Sequence, residues 1–449
     1  MIYDTIIGQA TASGMSALNI IRLSGDEAIS LVAKLFQGVD LTTVASHSVH
    51  YGHLVFQNEI LDEVLVSVFK SPRSFTTEDV VEISCHGGVY IASRIIETLI
   101  SLGARMAEPG EFTRRAYLNG RIDLTQAESI MDVIQAKTKS QLRLAHSGLS
   151  GDVRNRVHAL QNELLQIIAV IEVNIDYPEY DDVVEMTNAL LIPKIRQLID
   201  IMDRIIERAN TGKVIRNGIK TVIVGKPNVG KSSLLNTLLQ EDRAIVTDIS
   251  GTTRDLIQAE LRLGGLLIQL IDTAGVRDTT DLVEQIGISK TKKAMEEADL
   301  VLLVLDQSKD LTKEDIELLQ LTRDKKRIIV GNKSDLGGGL FLEGESPISI
   351  SAKTKAGIDA LEQSVKHLFD HQPLDQDQEI LLGNARHIGK ILETKQALQD
   401  ALRAANDQLP VDFVEMDLKK AWRSLGDITG EASNDQLIST LFSSFCLGK

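Results

Sequence analysis

Residues 221–236 constrain this chain more than any other stretch. A short apolar run, 222–224, leads into Gly225, then four residues, then Gly230, Lys231 and Ser232. Apolar residues at helical spacing follow. A strand before and a helix after are the setting in which this spacing makes a phosphate-binding loop. The glycines let successive backbone N–H groups turn inward on an anion, and the new helix aims its positive end at the same anion. Lys231 can supply a point charge to the β- and γ-phosphates, and Ser232 a hydroxyl to Mg²⁺.

A chain of 449 residues is too long for one core, so two to four domains are expected. Lys plus Arg is 48 against 63 Asp plus Glu, a net charge of -15. Such a balance argues against wrapping nucleic acid by bulk attraction, so RNA contact must be local or made by a partner. Two cysteines, Cys85 and Cys446, exclude a disulfide framework. Cys85-His86 reads as the turn at a strand end rather than as a metal pair. The start lacks the basic and apolar runs of a signal peptide. The longest apolar helix, around 164–175, is too short to span a bilayer, so no membrane partner is expected and the location is cytoplasmic.

The pattern divides the chain in four. Residues 1–118 read as a mixed α/β domain: a strand at 17–23, a hairpin over 49–69 turning at Gln57-Asn58, a strand at 80–84 and a helix at 89–102. Residues 119–214 turn helical. Thr125 and Glu128 form a capping-box pattern. Val153, Val157, Leu160, Leu164, Ile167, Ile171 and Ile175 make one apolar stripe. A second helix is expected over 187–209, stopping at Asn210-Thr211-Gly212. Residues 376–449 are helical again, with Leu381, Ala385, Ile388, Leu392 and Leu398 on one face, a break at Pro410, and helices at 413–425 and 434–445. Between the helical blocks, 215–375 alternate strand and helix as a doubly wound parallel sheet does. Its strands are expected at 219–224, 258–263, 267–271, 300–305, 327–330 and 348–350, with Gly264-Gly265 as a two-residue hairpin. The fold class is α/β and α multidomain, a discontinuous helical domain carrying an inserted Ras-like G domain.

Three further motifs sit at strand ends of the inserted block. Asp272, Thr273, Ala274 and Gly275 follow one strand; the acid can hold the Mg²⁺ shell and Gly275 can offer its N–H to the γ-phosphate. Asn332, Lys333, Ser334 and Asp335 follow another. The Asp335 carboxylate can accept from the N1–H and N2–H₂ donors of guanine, which adenine lacks. Ser351, Ala352 and Lys353 can back the base. Thr252-Thr253 lie where a switch hydroxyl reaches Mg²⁺. In Ras-like enzymes a glutamine after the Asp-x-x-Gly motif orients the attacking water; here that position is Val276. Glu284 is a candidate substitute, though its spacing alone fits a solvated acid at a helix start. Arg254 and Arg277 are close enough in sequence to be considered as arginine fingers. A monovalent cation could also supply the missing charge, with Asn228 offering it an oxygen.

Taken over its whole length, the chain resembles the MnmE (TrmE) family of tRNA-modification GTPases. The resemblance rests on Asp4-Thr5-Ile6, Ile20-Ile21-Arg22-Leu23-Ser24-Gly25, residues 74–82 with His86-Gly87-Gly88, residues 109–121 and 123–130, Gly251-Thr252-Thr253-Arg254-Asp255, and the closing Cys446-Leu447-Gly448-Lys449. It departs at Ala12-Ser13, where a Pro-Pro pair is common, and at Met15-Ser16, where the loop is usually glycine-rich. The resemblance implies a homodimer joined through tetrahydrofolate-binding-like N-terminal domains, with facing G domains that GTP and K⁺ bring together to switch on hydrolysis. It implies K⁺ held by Asn228, Thr247, Ile249 and Thr252, Mg²⁺ by Ser232 and Thr253, and a water positioned by Glu284. Nucleotide contacts then extend over Asn228, Val229, Gly230, Lys231, Ser232 and Ser233, and over Thr247, Asp248, Ile249, Ser250, Gly251, Thr252 and Thr253. Arg22, Glu82, Arg121 and Lys449 match folate-contacting positions for 5-formyltetrahydrofolate or a related folate. With the flavoprotein MnmG, in a heterotetramer, such a protein modifies carbon 5 of the wobble uridine of tRNA. Cys446 matches a terminal cysteine assigned to that chemistry; a core cysteine at an apolar helix end is the other reading. A GTPase that binds ribosomal RNA during ribosome assembly is the alternative function. Such proteins usually append a basic RNA-binding domain, which this acidic chain lacks.

Overall fold

The computed structural model describes residues 4–176, 188–240, 257–271, 294–369, 382–431, 435–443, 445 and 448. By contacts the chain forms two units. One comprises 1–131, 148–159 and 426–449; the other comprises 132–147 and 160–425.

The first unit is built on a seven-stranded sheet: β1 (Ile6–Gln9), β2 (Leu18–Ser24), β3 (Phe36–Gln37), β4 (Ser48–Phe56), β5 (Glu59–Phe69), β6 (Val80–His86) and β7 (Arg105–Met106). Their order is β3-β4-β5-β6-β2-β1-β7. Neighbours are antiparallel except β7 against β1. The alternation of β2, β5 and β6 sends Ile21, Leu23, Val64, Val66, Ile83 and Cys85 to one face, where the helices Ala28–Ala33 and Val89–Ser101 cover them. The β4–β5 hairpin turns at Gln57 (φ 52) and Asn58 (φ 64), the left-handed pair that a two-residue turn needs to match strand twist. Strands β1, β3 and β7 were not expected; at four, two and two residues they carry no alternation to read.

Cys85 and His86 face opposite ways, as neighbours on a strand must. Cys85 is buried and its Sγ donates to Asn19 O at 3.6 Å. Burial, and then the charge of Asp62, push its thiol up to about 11. His86 is exposed and pairs with Asp62 at 2.8 Å.

The helix Leu124–Gln135 begins on a cap the sequence reading misplaced by two residues. Gln126 N donates to Asp123 Oδ1 at 3.0 Å, and Asp123 N donates to Gln126 Oε1 at 3.1 Å. The box is therefore Asp123 with Gln126, not Thr125 with Glu128. Thr125 instead donates its hydroxyl to Asp123 Oδ1 at 2.6 Å. Aspartate competes well for this position because its carboxylate is the stronger acceptor. Farther along, Leu124, Ala127 and Met131 pack with Ile438, Phe442 and Phe445 of the C-terminal stretch.

The second unit contains the helices Asn188–Asn217 and Ala385–Asn406, packed on one another, and a six-stranded sheet. Of the stripe on the helix Asp152–Asp176, Leu164, Ile167 and Ile171 are buried as expected, while Ile175 is 36% exposed. Two expectations fail here. The helix Asn188–Asn217 does not stop at Asn210-Thr211-Gly212 but runs through it. Gly212 serves close approach instead: a Cβ there would stand 2.3 Å from Leu382 O, and one on Gly383 would stand 2.7 Å from Gly212 O. On the helix Ala385–Asn406 the buried face is His387, Ile391, Thr394, Ala397, Leu398, Ala401, Ala404 and Ala405. Of the expected face Leu398 is buried and Ile388 half-buried, but Ala385 is exposed and Leu392 is 49% exposed, and Leu381 lies outside the described residues. Small residues win the inner face because neighbouring helices approach closely there, so counting leucines misjudged the angle.

The second sheet comprises β8 (Ile219–Val224), β9 (Ile257–Leu263), β10 (Leu266–Ile271), β11 (Leu300–Asp306), β12 (Arg327–Asn332) and β13 (Ile348–Ser349), in the order β13-β12-β11-β8-β10-β9. It is parallel except at its edge, where β9 runs antiparallel to β10. That antiparallel pair is the one expected from a hairpin at Gly264-Gly265. Gly264 (φ 62) and Gly265 (φ 79) make the hairpin. Apolar clusters lie on both faces, around Leu302 and Val330 and around Val301 and Leu303, and β11 is buried along its whole length, as a central parallel strand should be.

Candidate nucleotide site

Strand β8 has β10 on one side and β11 on the other, so chain order reverses at it. In open α/β sheets ligands bind beyond the strand ends at such a point. The phosphate loop leaves β8 there and enters the helix Lys231–Gln240. Gly225 has φ 155, Asn228 φ 65 and Gly230 φ 97. A Cβ on Gly225 would lie 2.4 Å from Val304 O, and one on Gly230 2.2 Å from Asn332 Nδ2. Both positions demand glycine. The Lys231 ammonium donates to Gly225 O at 2.8 Å and Lys226 O at 2.9 Å. Burial holds its pKa below the ordinary lysine value. Ser232 and Ser233 stand in the first turn of the helix, and Val229 is buried beneath the loop.

The motif after β12 meets this loop. Asn332 Nδ2 donates to Val229 O at 2.9 Å, while its Oδ1 accepts from Ala352 N at 3.0 Å. One buried amide thus ties three of the sequence motifs together. Lys333 adopts φ 67, which swings the chain into the short turn Ser334–Leu336. Ser334 N donates to Ile350 O at 3.0 Å, and Ser351 Oγ donates to Asp335 Oδ1 at 2.7 Å. Lys333 Nζ reaches Asp306 Oδ2 at 2.7 Å. Burial pushes the Asp306 carboxyl up, but Lys333 and Ser308 outweigh it and hold the pKa below the ordinary value. Lys353 follows on the same loop.

Thr247, Asp248, Ile249, Ser250, Gly251, Thr252, Thr253, Arg254, Asp272, Thr273, Ala274, Gly275, Val276, Arg277, Glu284, Cys446 and Lys449 lie outside the described residues.

The first unit gathers a second set. Register places Arg22 on β2 opposite Glu82 on β6, and Arg22 Nη2 lies 2.7 Å from Glu82 Oε1. Arg22 Nη1 donates to Gly448 O at 3.2 Å. Arg22 Cζ is 6.0 Å from the Phe75 ring centroid and 5.6 Å from that of Phe112. Arg121 lies over Phe75 at 5.0 Å and donates to Phe75 O at 2.7 Å. Three of the four positions matched to folate contacts therefore come together, with Phe75 between two guanidiniums, an arrangement able to stack on and hydrogen-bond a flat polar ring. Phe75 and Phe112 were missed as individual site residues, because only the fold brings them to Arg22.

A phosphate loop at the reversal point of a parallel sheet, locked to an Asn-Lys-x-Asp loop, defines a P-loop GTPase domain. Residues 124–446 match the family described as MnmE helical domain, and residues 5–121 match GTP-binding protein TrmE N-terminus. The protein named tRNA modification GTPase MnmE from Streptococcus thermophilus is 49% identical over 450 residues, covering 100% of this chain and 99% of that one. That of Levilactobacillus brevis is 48% identical over 457 residues, covering 100% and 98%. The chain belongs to the MnmE family. Among solved structures, Aquifex aeolicus Era bound to GDP and aluminium fluoride is 26% identical over 40% of this chain and 66% of that one, with a TM-score of 0.26.

Proposed function

We propose that this chain is a GTP hydrolase of tRNA modification, acting with a flavoprotein of the MnmG kind on carbon 5 of the wobble uridine. The observation that carries the reading is the Asn332 amide, which holds the phosphate loop and the base-backing loop at one place. Family membership supports the tRNA part. Lys231 would charge-neutralise the phosphates, Asp335 would read guanine, and Ser232 with Thr253 would hold Mg²⁺, which spreads the charge developing on the γ-phosphate. Asn228, exposed at the loop's left-handed turn, would offer K⁺ an oxygen together with Thr247, Ile249 and Thr252. Glu284 would aim the attacking water and Cys446 would serve the modification chemistry. Arg22, Glu82, Arg121 and Lys449 would hold the folate that donates the one-carbon unit. The domains would be 1–118, 119–214 with 376–449, and 215–375, in a homodimer whose G domains meet across K⁺. No described helix is long and apolar enough to cross a membrane, and we place the protein in the cytoplasm with tRNA as its nucleic-acid partner.

The deciding experiment is mass spectrometry of tRNA from a strain lacking this chain. Aminomethyl-type modifications at the wobble uridine should vanish and return on complementation; an unchanged profile would refute the reading. The cation is tested separately. GTP turnover should fall strongly when Na⁺ replaces K⁺, and equal rates in both salts would remove K⁺ from the site.

A further inference from the structure

We propose that Lys226 and Asp315 are positioning residues of the phosphate loop, anchoring the carbonyl that orients Lys231. The inference rests on the nucleotide reading above but concerns a phosphate-loop side chain that the motif leaves open, Lys226, and an acid outside the motifs, Asp315. Lys226 Nζ lies 2.6 Å from Asp315 Oδ2 and 3.2 Å from Thr312 Oγ1. The pair is withdrawn from water: the Asp315 side chain is 3% exposed and that of Lys226 17%. Asp315 is itself fixed. It sits at the third position of the helix Lys313–Leu321 and closes a capping box with Thr312. Its Oδ2 accepts from Thr312 N at 2.9 Å and Thr312 Oγ1 at 2.7 Å. Its Oδ1 is buried with no partner among the described residues. Lys226 is therefore the one cation paired to this carboxylate among the described residues, and a buried charge so placed holds its partner firmly.

The tether matters because of what the backbone of Lys226 does. Its carbonyl is one of the two that accept from the Lys231 ammonium. The side chain of Lys226 is thus clamped to a helix start while its carbonyl steers the lysine that meets phosphate. Cutting the clamp frees the shoulder of the loop, and the order lost must then be restored at the moment of binding. The cost falls on every guanine nucleotide alike and leaves base choice untouched, because Asp335 is held separately by Ser351.

The test uses full-length protein with Lys226→Ala, Asp315→Asn, the double variant and the conservative Lys226→Arg. GTP turnover, binding of a fluorescent GDP and thermal melting are measured for each. We expect KM for GTP and Kd for GDP to rise about tenfold in each single variant, with kcat within about twofold, the split that marks lost binding rather than lost chemistry. The double variant should be no worse than either single, since both cut one link, and Lys226→Arg should restore most of the affinity. A Lys226→Ala protein that melts like wild type and binds GTP and GDP as tightly would overturn the inference, as would additive effects in the double variant. Should Asp315→Asn fail to fold, Lys226→Ala decides alone. Wild-type protein that neither binds nor turns over GTP would instead sink the nucleotide reading, and the tether's role with it.

Discussion

An Asp335→Asn variant should lose GTP and gain xanthosine triphosphate. The carboxylate is aimed before any base arrives. Lys333 in the left-handed region turns the chain, Ser334 N ties the turn to Ile350 O, and Ser351 Oγ takes one carboxylate oxygen at 2.7 Å. Ser351 is fully buried, and its own oxygen accepts from Thr354 N at 3.1 Å. Asp335 is exposed, with that one oxygen held by Ser351. In the variant an amide N–H₂ would confront guanine's donors, leaving donor against donor. Sites built around such bonds reject a partner that cannot make them by as much as about 10⁴-fold. We expect kcat/KM for GTP to fall by at least about 10²-fold, on the scale of one or two charged hydrogen bonds. Xanthine carries a carbonyl where guanine carries its amine, so the amide can pair with it. Competition between the two triphosphates reads the result directly, and undiminished GTP preference would remove Asp335 from base recognition.

Glu111→Leu should strongly destabilise the first unit. The Glu111 side chain is fully buried. It accepts from Arg105 Nη2 at 2.5 Å, Arg115 Nη2 at 3.3 Å and Glu108 N at 2.7 Å. Arg115 spreads the network to Glu78 at 3.1 Å and Asp4 at 2.7 Å. Replacing the central acid leaves Arg115 with Glu78 and Asp4 alone and takes the acceptor from Glu108 N, a loss of buried hydrogen bonds that costs about 3 kcal/mol. In a unit of this size the melting temperature should drop on the order of 10 °C. Acid should act in the same direction. Burial pushes the Glu111 carboxyl up, but Arg105 and its other partners hold it below the ordinary glutamate value. A depressed folded-state pKa means the stabilisation is complete above the ordinary value and is lost as pH falls through the folded one. Thermal melts from neutral pH downward should show wild type converging on the variant in that acidic window. A variant that melts within a degree of wild type at neutral pH would show the network to be dispensable.

What the sequence could reveal here was local. The phosphate loop, the strand pattern of the second sheet, and the turns at Gln57-Asn58 and Gly264-Gly265 depend on residues adjacent in the chain, whose backbone preferences act over a few positions. What it hid was set by packing between distant segments. Gly212 looked like a helix stop because its tolerance of close contact cannot be told from its tolerance of a turn. The face of the helix Ala385–Asn406 was misread because its alanines and Thr394 were discounted. The Asp123 cap escaped because Thr125 fits the same pattern two residues on. In the site, Asp306 and Asp315 reach Lys333 and Lys226 across 27 and 89 positions of chain, and no spacing rule covers such pairs. Arg22 and Glu82 became candidates only through the family resemblance; strand register then explains why both belong to one place.

The backbone-to-backbone touch of Gly212 and Gly383 has an architectural meaning. Gly212 lies five residues before the helix Asn188–Asn217 gives way to β8, and Gly383 lies just ahead of the helix Ala385–Asn406. Departure and return of the polypeptide share one doorway, buttoned shut by two residues without side chains. An excursion that begins and ends at a single threshold can be acquired, exchanged or excised as a cassette while the helices on either side stay spliced. Bulk at either glycine would wedge that threshold open.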